Sequence, residues 1–254
     1  MKKERLILLG LGLMAASSAS AVTPLWLRDV VISPDGSRIA FCYKGDVWTV
    51  PTAGGTANRL TTLSSYEANP VWSPDGKQIA FSSDRHGNFD IFVAPADGGS
   101  AKRLTFNSQS EIPEAFSPDG KEVYFSAAIQ DPASSAMFPS SRMSELYAVP
   151  VKGGATRQVL ATPVKRMSWG GNGKADWFLY QDVKGFEDEW RKHHTSSVTR
   201  DIWRYDASTG KHTNLTNRGG EDRDPVVAGD KVFFLSERNG GTMNVYEAPL
   251  SDLS

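Results

Sequence analysis

The tetrapeptide Ser33-Pro34-Asp35-Gly36 returns as Ser73-Pro74-Asp75-Gly76 and again as Ser117-Pro118-Asp119-Gly120, at nearly constant spacing. Degenerate copies stand at Gly170-Gly171-Asn172-Gly173 and at Ala228-Gly229-Asp230. A second marker follows each copy: Asp46-Val47-Trp48, Asp90-Ile91-Phe92, Glu145-Leu146-Tyr147, Asp201-Ile202-Trp203 and Asn244-Val245-Tyr246. A third marker closes the first four units, reading Arg59-Leu60-Thr61, Arg103-Leu104-Thr105, Gln158-Val159-Leu160 and Asn214-Leu215-Thr216. Three markers in fixed order, repeated along the chain, restrict the fold to stacked copies of one supersecondary unit.

Each unit resolves into four short strands. In the second, the expected strands are Asn69–Ser73, Lys77–Ser82, Asp90–Ala94 and Ala101–Thr105. Pro-Asp-Gly joins the first two as a tight turn: proline fixes φ, aspartate bonds its own backbone and glycine accepts positive φ. The same logic makes Arg85–Asn88 a hairpin turn rather than a calcium loop, whose ligand spacing is absent. Strands rich in β-branched and aromatic residues, four to a unit, predict an all-β fold, a β-propeller of four-stranded blades. The blades fall near 27–62, 66–106, 111–161, 164–217 and 222–254. Trp72, Phe116 and Trp169 occupy equivalent places and are expected between blades, as core. The fifth unit lacks its closing strand. The expectation is that the chain is cut short at its C-terminal end; the alternative is that Val22–Arg28 supplies the missing strand and closes a five-bladed ring.

Residues 1–21 read as a secretory signal, with Lys2, Lys3 and Arg5, the apolar run Leu6–Met14 and the small residues Ala19-Ser20-Ala21. The expected product is exported, periplasmic or secreted, with no membrane anchor, because the apolar run is short and no cysteine follows it. The formal net charge is −1, and −3 once Lys2, Lys3, Arg5 and Glu4 leave with the signal, so binding nucleic acid by net charge is not expected. The single cysteine, Cys42, excludes a disulfide framework and a cysteine-based zinc site.

Two insertions break the period: Ala127–Ser144 and Asp182–Arg200. Insertions in repeat folds map to loops, often on a binding face. The second carries the candidate substrate- or partner-binding residues Trp190, Arg191, Lys192, His193, His194 and Arg200. Neighbouring residues on an extended chain point to opposite faces, so His193 and His194 rarely share one ion, and no metal site or cofactor is expected. No Gly-x-Ser-x-Gly elbow and no Ser/His/Asp set are recognisable, so no catalytic residue is assigned.

The residues 73–81 and 84–92 resemble propeller repeats of the TolB and dipeptidyl-peptidase type. The leader followed by Pro24-Leu25-Trp26-Leu27-Arg28, the segment Trp190–Trp203 and the stretch Glu221-Asp222-Arg223-Asp224-Pro225 more closely resemble the N-terminal propeller of tricorn-like serine proteases, peptidase family S41. That resemblance implies a six-bladed first propeller, followed by a second propeller, PDZ and protease domains that hold the catalytic Ser, His and Glu outside this chain. It implies a non-catalytic role in gating or binding peptides. Partners would be peptides, through charge-assisted hydrogen bonds to Arg191, Lys192, His193, His194 and Arg200, or the neighbouring domains, with a second copy of the chain a further candidate. A stand-alone TolB-like protein-binding propeller is the alternative.

Overall fold

The structure, a computed structural model, describes residues 26–129, 144–171, 173–185 and 196–253. Among them there are strands and turns and no helix. The first blade comprises β1 (Arg28–Ile32), β2 (Arg38–Tyr43), β3 (Asp46–Pro51) and β4 (Asn58–Arg59). The second comprises β5 (Glu67–Trp72), β6 (Gln78–Ser83), β7 (Asp90–Pro95) and β8 (Lys102–Arg103). The third is β9 (Glu111–Phe116), β10 (Glu122–Ala127), β11 (Glu145–Pro150) and β12 (Arg157–Leu160). The fourth is β13 (Lys165–Trp169), β14 (Trp177–Gln181), β15 (Ile202–Asp206) and β16 (Lys211–Asn214). The fifth has three strands, β17 (Asp222–Ala228), β18 (Lys231–Ser236) and β19 (Asn244–Pro249). Every blade is an antiparallel meander in chain order. Arg28 heads the inner strand β1, and residues 22–25 of the stretch expected as a closing strand lie outside the described residues.

The turns form as the tetrapeptide predicts. Ser33, Ser73 and Ser117 each donate a hydroxyl to the aspartate two residues on, at 2.6–2.7 Å. Each hydroxyl also accepts the backbone N–H that opens the next strand, at 2.9 Å. Gly36, Gly76 and Gly120 take φ of 71°, 67° and 70°, which an L-residue rarely adopts. In the fourth copy a Cβ at Gly170 would lie 2.4 Å from the Trp177 indole, so the serine of the other copies has no room there.

The third marker is a side-chain latch. Thr61, Thr105 and Thr216 accept the N–H of Val47, Ile91 and Ile202 at 2.8–2.9 Å. Arg59, Arg103 and Asn214 reach the neighbouring Asp46, Asp90 and Asp201 at 2.7–2.9 Å. This shortens the outer strand: β8 covers only Lys102–Arg103 instead of Ala101–Thr105, because a hydroxyl replaces the ladder bond at Thr105. β5 also begins two residues earlier than expected, because Glu67 and Ala68 pair with Ser83 and Ser82.

Each seam between successive blades holds its own apolar core. Trp72 packs among Ala40, Cys42 and Val47 of the first blade, and Phe116 among Ala80, Ile91 and Val93 of the second. Alternation along β6 sends Ile79 and Phe81 to one seam and Ala80 to the next, which is the period of a strand buried on both faces. The indole N–H groups of Trp72 and Trp169 bond carbonyls of the preceding blade, Val31 at 3.3 Å and Phe116 at 2.7 Å. The expected inter-blade role of these aromatics holds, with Trp169 half-buried rather than enclosed. The inner strands β1, β5, β9, β13 and β17 pack in succession, and among the described residues no comparable packing joins β17 to β1.

Candidate functional site

The inner strands surround a central cavity of about 400 Å³, walled mostly by Val31, Pro70, Val71, Pro113, Met167 and Pro225. A second compartment of about 210 Å³ adjoins it and shares Asn69, Pro113, Glu114, Arg166 and Asp224. Both arise from one feature of the repeat. The position four residues before each turn reads Asp29, Asn69, Pro113, Arg166 and Asp224. In four blades a β-bulge breaks the inner strand here, between Arg28 and Val31, Ala68 and Val71, Lys165 and Ser168, and Arg223 and Val226. The bulged residues sit in the left-handed region, with φ of 49° for Asp29, 53° for Asn69 and 54° for Arg166 and Asp224. Non-glycine residues there are strained and persist only where their surroundings hold them.

What holds them is the preceding blade. Asn69 donates its backbone N–H to Asp29 at 3.3 Å, Arg166 to Glu114 at 2.7 Å and Asp224 to Gln181 at 3.0 Å. In the third blade the position is Pro113, which has no N–H to satisfy. Arg166 and Asp224 also pair across two blades, Nε to Oδ1 at 3.0 Å. The result is a polar belt at the channel mouth above an apolar wall. Glu114 receives the Ser126 hydroxyl at 2.8 Å as well as the Arg166 amide, yet burial raises its pKa above the usual carboxylate range.

Because every blade is a meander, the connections from second to third strand leave from the face on which the inner strands begin. Both insertions are of this kind, since they join β10 to β11 and β14 to β15. Of the candidate binding residues, Trp190, Arg191, Lys192, His193 and His194 lie outside the described residues. Arg200 lines the second compartment, and its guanidinium pairs with the buried Glu221. The foot of the same insertion is pinned by Lys184, whose Nζ lies 2.6 Å from Asp201 and 2.8 Å from the Thr199 carbonyl. Linear reading missed the belt residues Asp29, Asn69, Glu114, Arg166 and Asp224. Aligning the units on their turns would have exposed four of the five as a polar column inside an otherwise apolar strand.

Among the described residues no cluster of three or more His, Cys, Asp or Glu side chains is arranged to hold a metal ion. No helix of the described residues is long and apolar enough to cross a membrane.

Residues 24–253 match the tricorn protease N-terminal beta propeller domain. The chain belongs to that family. Among solved structures, this tricorn-type propeller superposes on the tricorn protease with a TM-score of 0.72 at 22% identity, covering 91% of this chain and 22% of that one. It superposes on a putative TolB from Agrobacterium tumefaciens with a TM-score of 0.66 at 18% identity, covering 89% of this chain and 83% of that one. At these identities the likeness is one of fold. An uncharacterized peptidase, YuxL of Bacillus subtilis (strain 168), is 30% identical over 86 residues, and the match spans only 13% of its length.

Proposed function

We propose that this tricorn-type propeller is the non-catalytic peptide-admitting domain of an exported serine protease of the S41 kind, with proteolysis carried out by a domain outside this chain. The observation that carries the reading is the polar belt over an apolar channel, opening on the same face as both insertions. An extended peptide needs hydrogen-bond partners for its backbone and an apolar wall for its side chains, and the channel offers both. Arg191, Lys192, His193, His194 and Arg200, with Trp190, then serve as contacts for peptide carboxylates or a neighbouring protease or PDZ domain. Export, to the periplasm or beyond, is read from the leader at 1–21. A sixth blade between β17 and β1 would cover Val30 and Ile32 of β1, which are 59% and 61% exposed, and Val245 of β19, which is 71% exposed.

The second reading is a stand-alone protein-binding propeller of the TolB kind. The superposition that covers 83% of the Agrobacterium tumefaciens chain favours it. The mass of the native gene product, by immunoblot and intact mass spectrometry, separates the two. A species several times heavier than 27.7 kDa is expected. A species just below 27.7 kDa, shortened by the leader, would remove the multidomain protease and leave the binding module.

A further inference from the structure

The repeats place an acid at the head of three inner strands: Glu67, Glu111 and Asp222, all fully buried. Each donates its backbone N–H to the residue just before a buried acid at the start of a third strand in the blade before it: Gly45 before Asp46, Phe89 before Asp90, and Arg200 before Asp201, which directly precedes β15. Two carboxylates enclosed at one seam need compensating charge.

At the first seam they have it. Arg59 pairs with Asp46 at 2.7 Å, and Arg85 with Glu67 at 3.3 Å, while Ser65 and Ser83 donate hydroxyls to Glu67. At the seam of the fourth and fifth blades, Lys184 and Asn214 reach Asp201, and Arg218 and Arg238 lie 2.8 Å and 3.7 Å from Asp222. The arginine that serves the strand-head acid comes from the same place in each unit, Ser83-Asp84-Arg85 and Ser236-Glu237-Arg238. In the third unit that place reads Ala127-Ala128-Ile129. Among the described residues Glu111 therefore has no arginine of its own.

Among the described residues, the charged groups acting on Glu111 are Asp90 from β7 and Arg103 from β8, with Arg103 2.8 Å from one Asp90 oxygen. β6 presents Ser82, which bonds the Glu111 carbonyl, and β10 presents Ala127 in register with it; both are neutral. At the head of β5, Glu67 is held by Arg85, and Lys165 of β13 acts on Glu114. Thr105 donates its hydroxyl to Glu111 Oε2, while among the described residues Glu111 Oε1 and Asp90 Oδ1 are buried without a hydrogen-bond partner. Among the described residues, two carboxylates and one guanidinium leave one negative charge enclosed.

We propose that Glu111 keeps a proton in the folded seam, which makes the contact between the second and third blades a pH-sensitive joint in the channel wall. The joint acts on the channel through β9, because Pro113 and Glu114, two and three residues beyond Glu111, line both compartments. It also sits at the foot of the β10–β11 insertion, since Ala127 pairs with Glu111. Burial and the neighbouring Asp90 push the Glu111 pKa up from 4.5 to about 7. The folded state keeps its proton to the higher value and the unfolded chain releases it at the lower one. Stability therefore falls as pH rises between the two and levels off above.

The experiment is urea unfolding of the full chain from about pH 5 to about pH 8, for wild type and Glu111→Gln. The wild-type folding constant should fall by roughly two orders of magnitude more than that of the variant over this window. Amide exchange supplies an internal control needing no variant. Protection at Ser126 and Ala127, beside Glu111, should weaken with rising pH relative to Leu235 and Ser236, beside the arginine-compensated Asp222. Equal pH slopes for wild type and Glu111→Gln would overturn the proposal, and so would equal loss of protection at the two seams. If Glu111→Gln does not fold, the exchange comparison decides alone.

Discussion

The two faces of this propeller are built by different chemistry. On the face of the Ser-Pro-Asp-Gly turns, the bonds that shape each turn run between residues two to five apart in the chain, as from Ser73 to Asp75 and from Gln78 to Ser73, although Arg38 also crosses to the Gly76 carbonyl. On the opposite face, where the inner strands begin, they run between blades: Asn69 to Asp29, Arg166 to Glu114, Asp224 to Gln181. Local bonds make a turn that any blade can carry unchanged, so its sequence repeats. Bonds between blades depend on what the neighbour offers, so each position is solved separately, and the residues diverge to Asp, Asn, Pro, Arg and Asp. A face free to diverge position by position is the one that can acquire a binding role.

The contrast has graded consequences. The largest effects should come from the seams. Trp72→Ala removes a buried indole that binds the first blade and should cost about 3–5 kcal/mol in urea unfolding. A loss below about 1 kcal/mol would remove Trp72 from the inter-blade core. Arg85→Ala, on the mouth side, leaves Glu67 buried without its cation and should cost about 3–5 kcal/mol.

On the turn face, Ser73→Ala removes a buried hydroxyl that donates to the exposed Asp75 and accepts the Gln78 amide, and should cost about 1 kcal/mol by the same measurement. Equal losses for Ser73→Ala and Arg85→Ala would erase the distinction between the faces. Arg166→Gln breaks an ion pair whose partners are 56% and 33% exposed, so its cost should stay within about 1 kcal/mol. Under the proposed peptide-admitting role, its effect falls on peptide affinity instead.

The smallest effect is acid titration of the turn face. Hydrogen bonds from Ser33, Ser37 and their backbone hold Asp35 near 2, and those from Lys121 and Ser117 hold Asp119 near 2, against an ordinary value of 3.8. Their contribution is complete above the ordinary value and declines as pH falls towards 2. Asp35→Asn should flatten that part of the stability profile slightly, and an unchanged profile would dismiss the contribution.

This division also explains what could be read from the chain. The blades, their order and the turn at each tetrapeptide were legible, because proline, aspartate, serine and glycine act on their immediate neighbours. The latch was half legible: Arg103-Leu104-Thr105 announced an outer strand, but not that the Thr105 hydroxyl would replace a ladder bond and shorten it. The belt was not legible along the chain, because Arg166 and Asp224 meet only once two blades have packed. The basic insertion drew attention for its composition, yet its described member, Arg200, is engaged with Glu221 as well as lining the mouth. Composition flags a residue without saying what its partner will be.

The central claim is that peptide enters the channel. Val226 lines the central cavity, is 53% exposed and lies outside the buried cores of the seams, so Val226→Trp fills the channel without disturbing the fold. The decisive measurement is fluorescence anisotropy of a fluorescein-labelled unstructured decapeptide against wild type and Val226→Trp, with urea unfolding confirming equal stability. Binding by the wild type that weakens at least tenfold in Val226→Trp is the predicted result, a loss of about 1.4 kcal/mol. Equal affinity for the two proteins would place the peptide elsewhere on the surface and contradict the account.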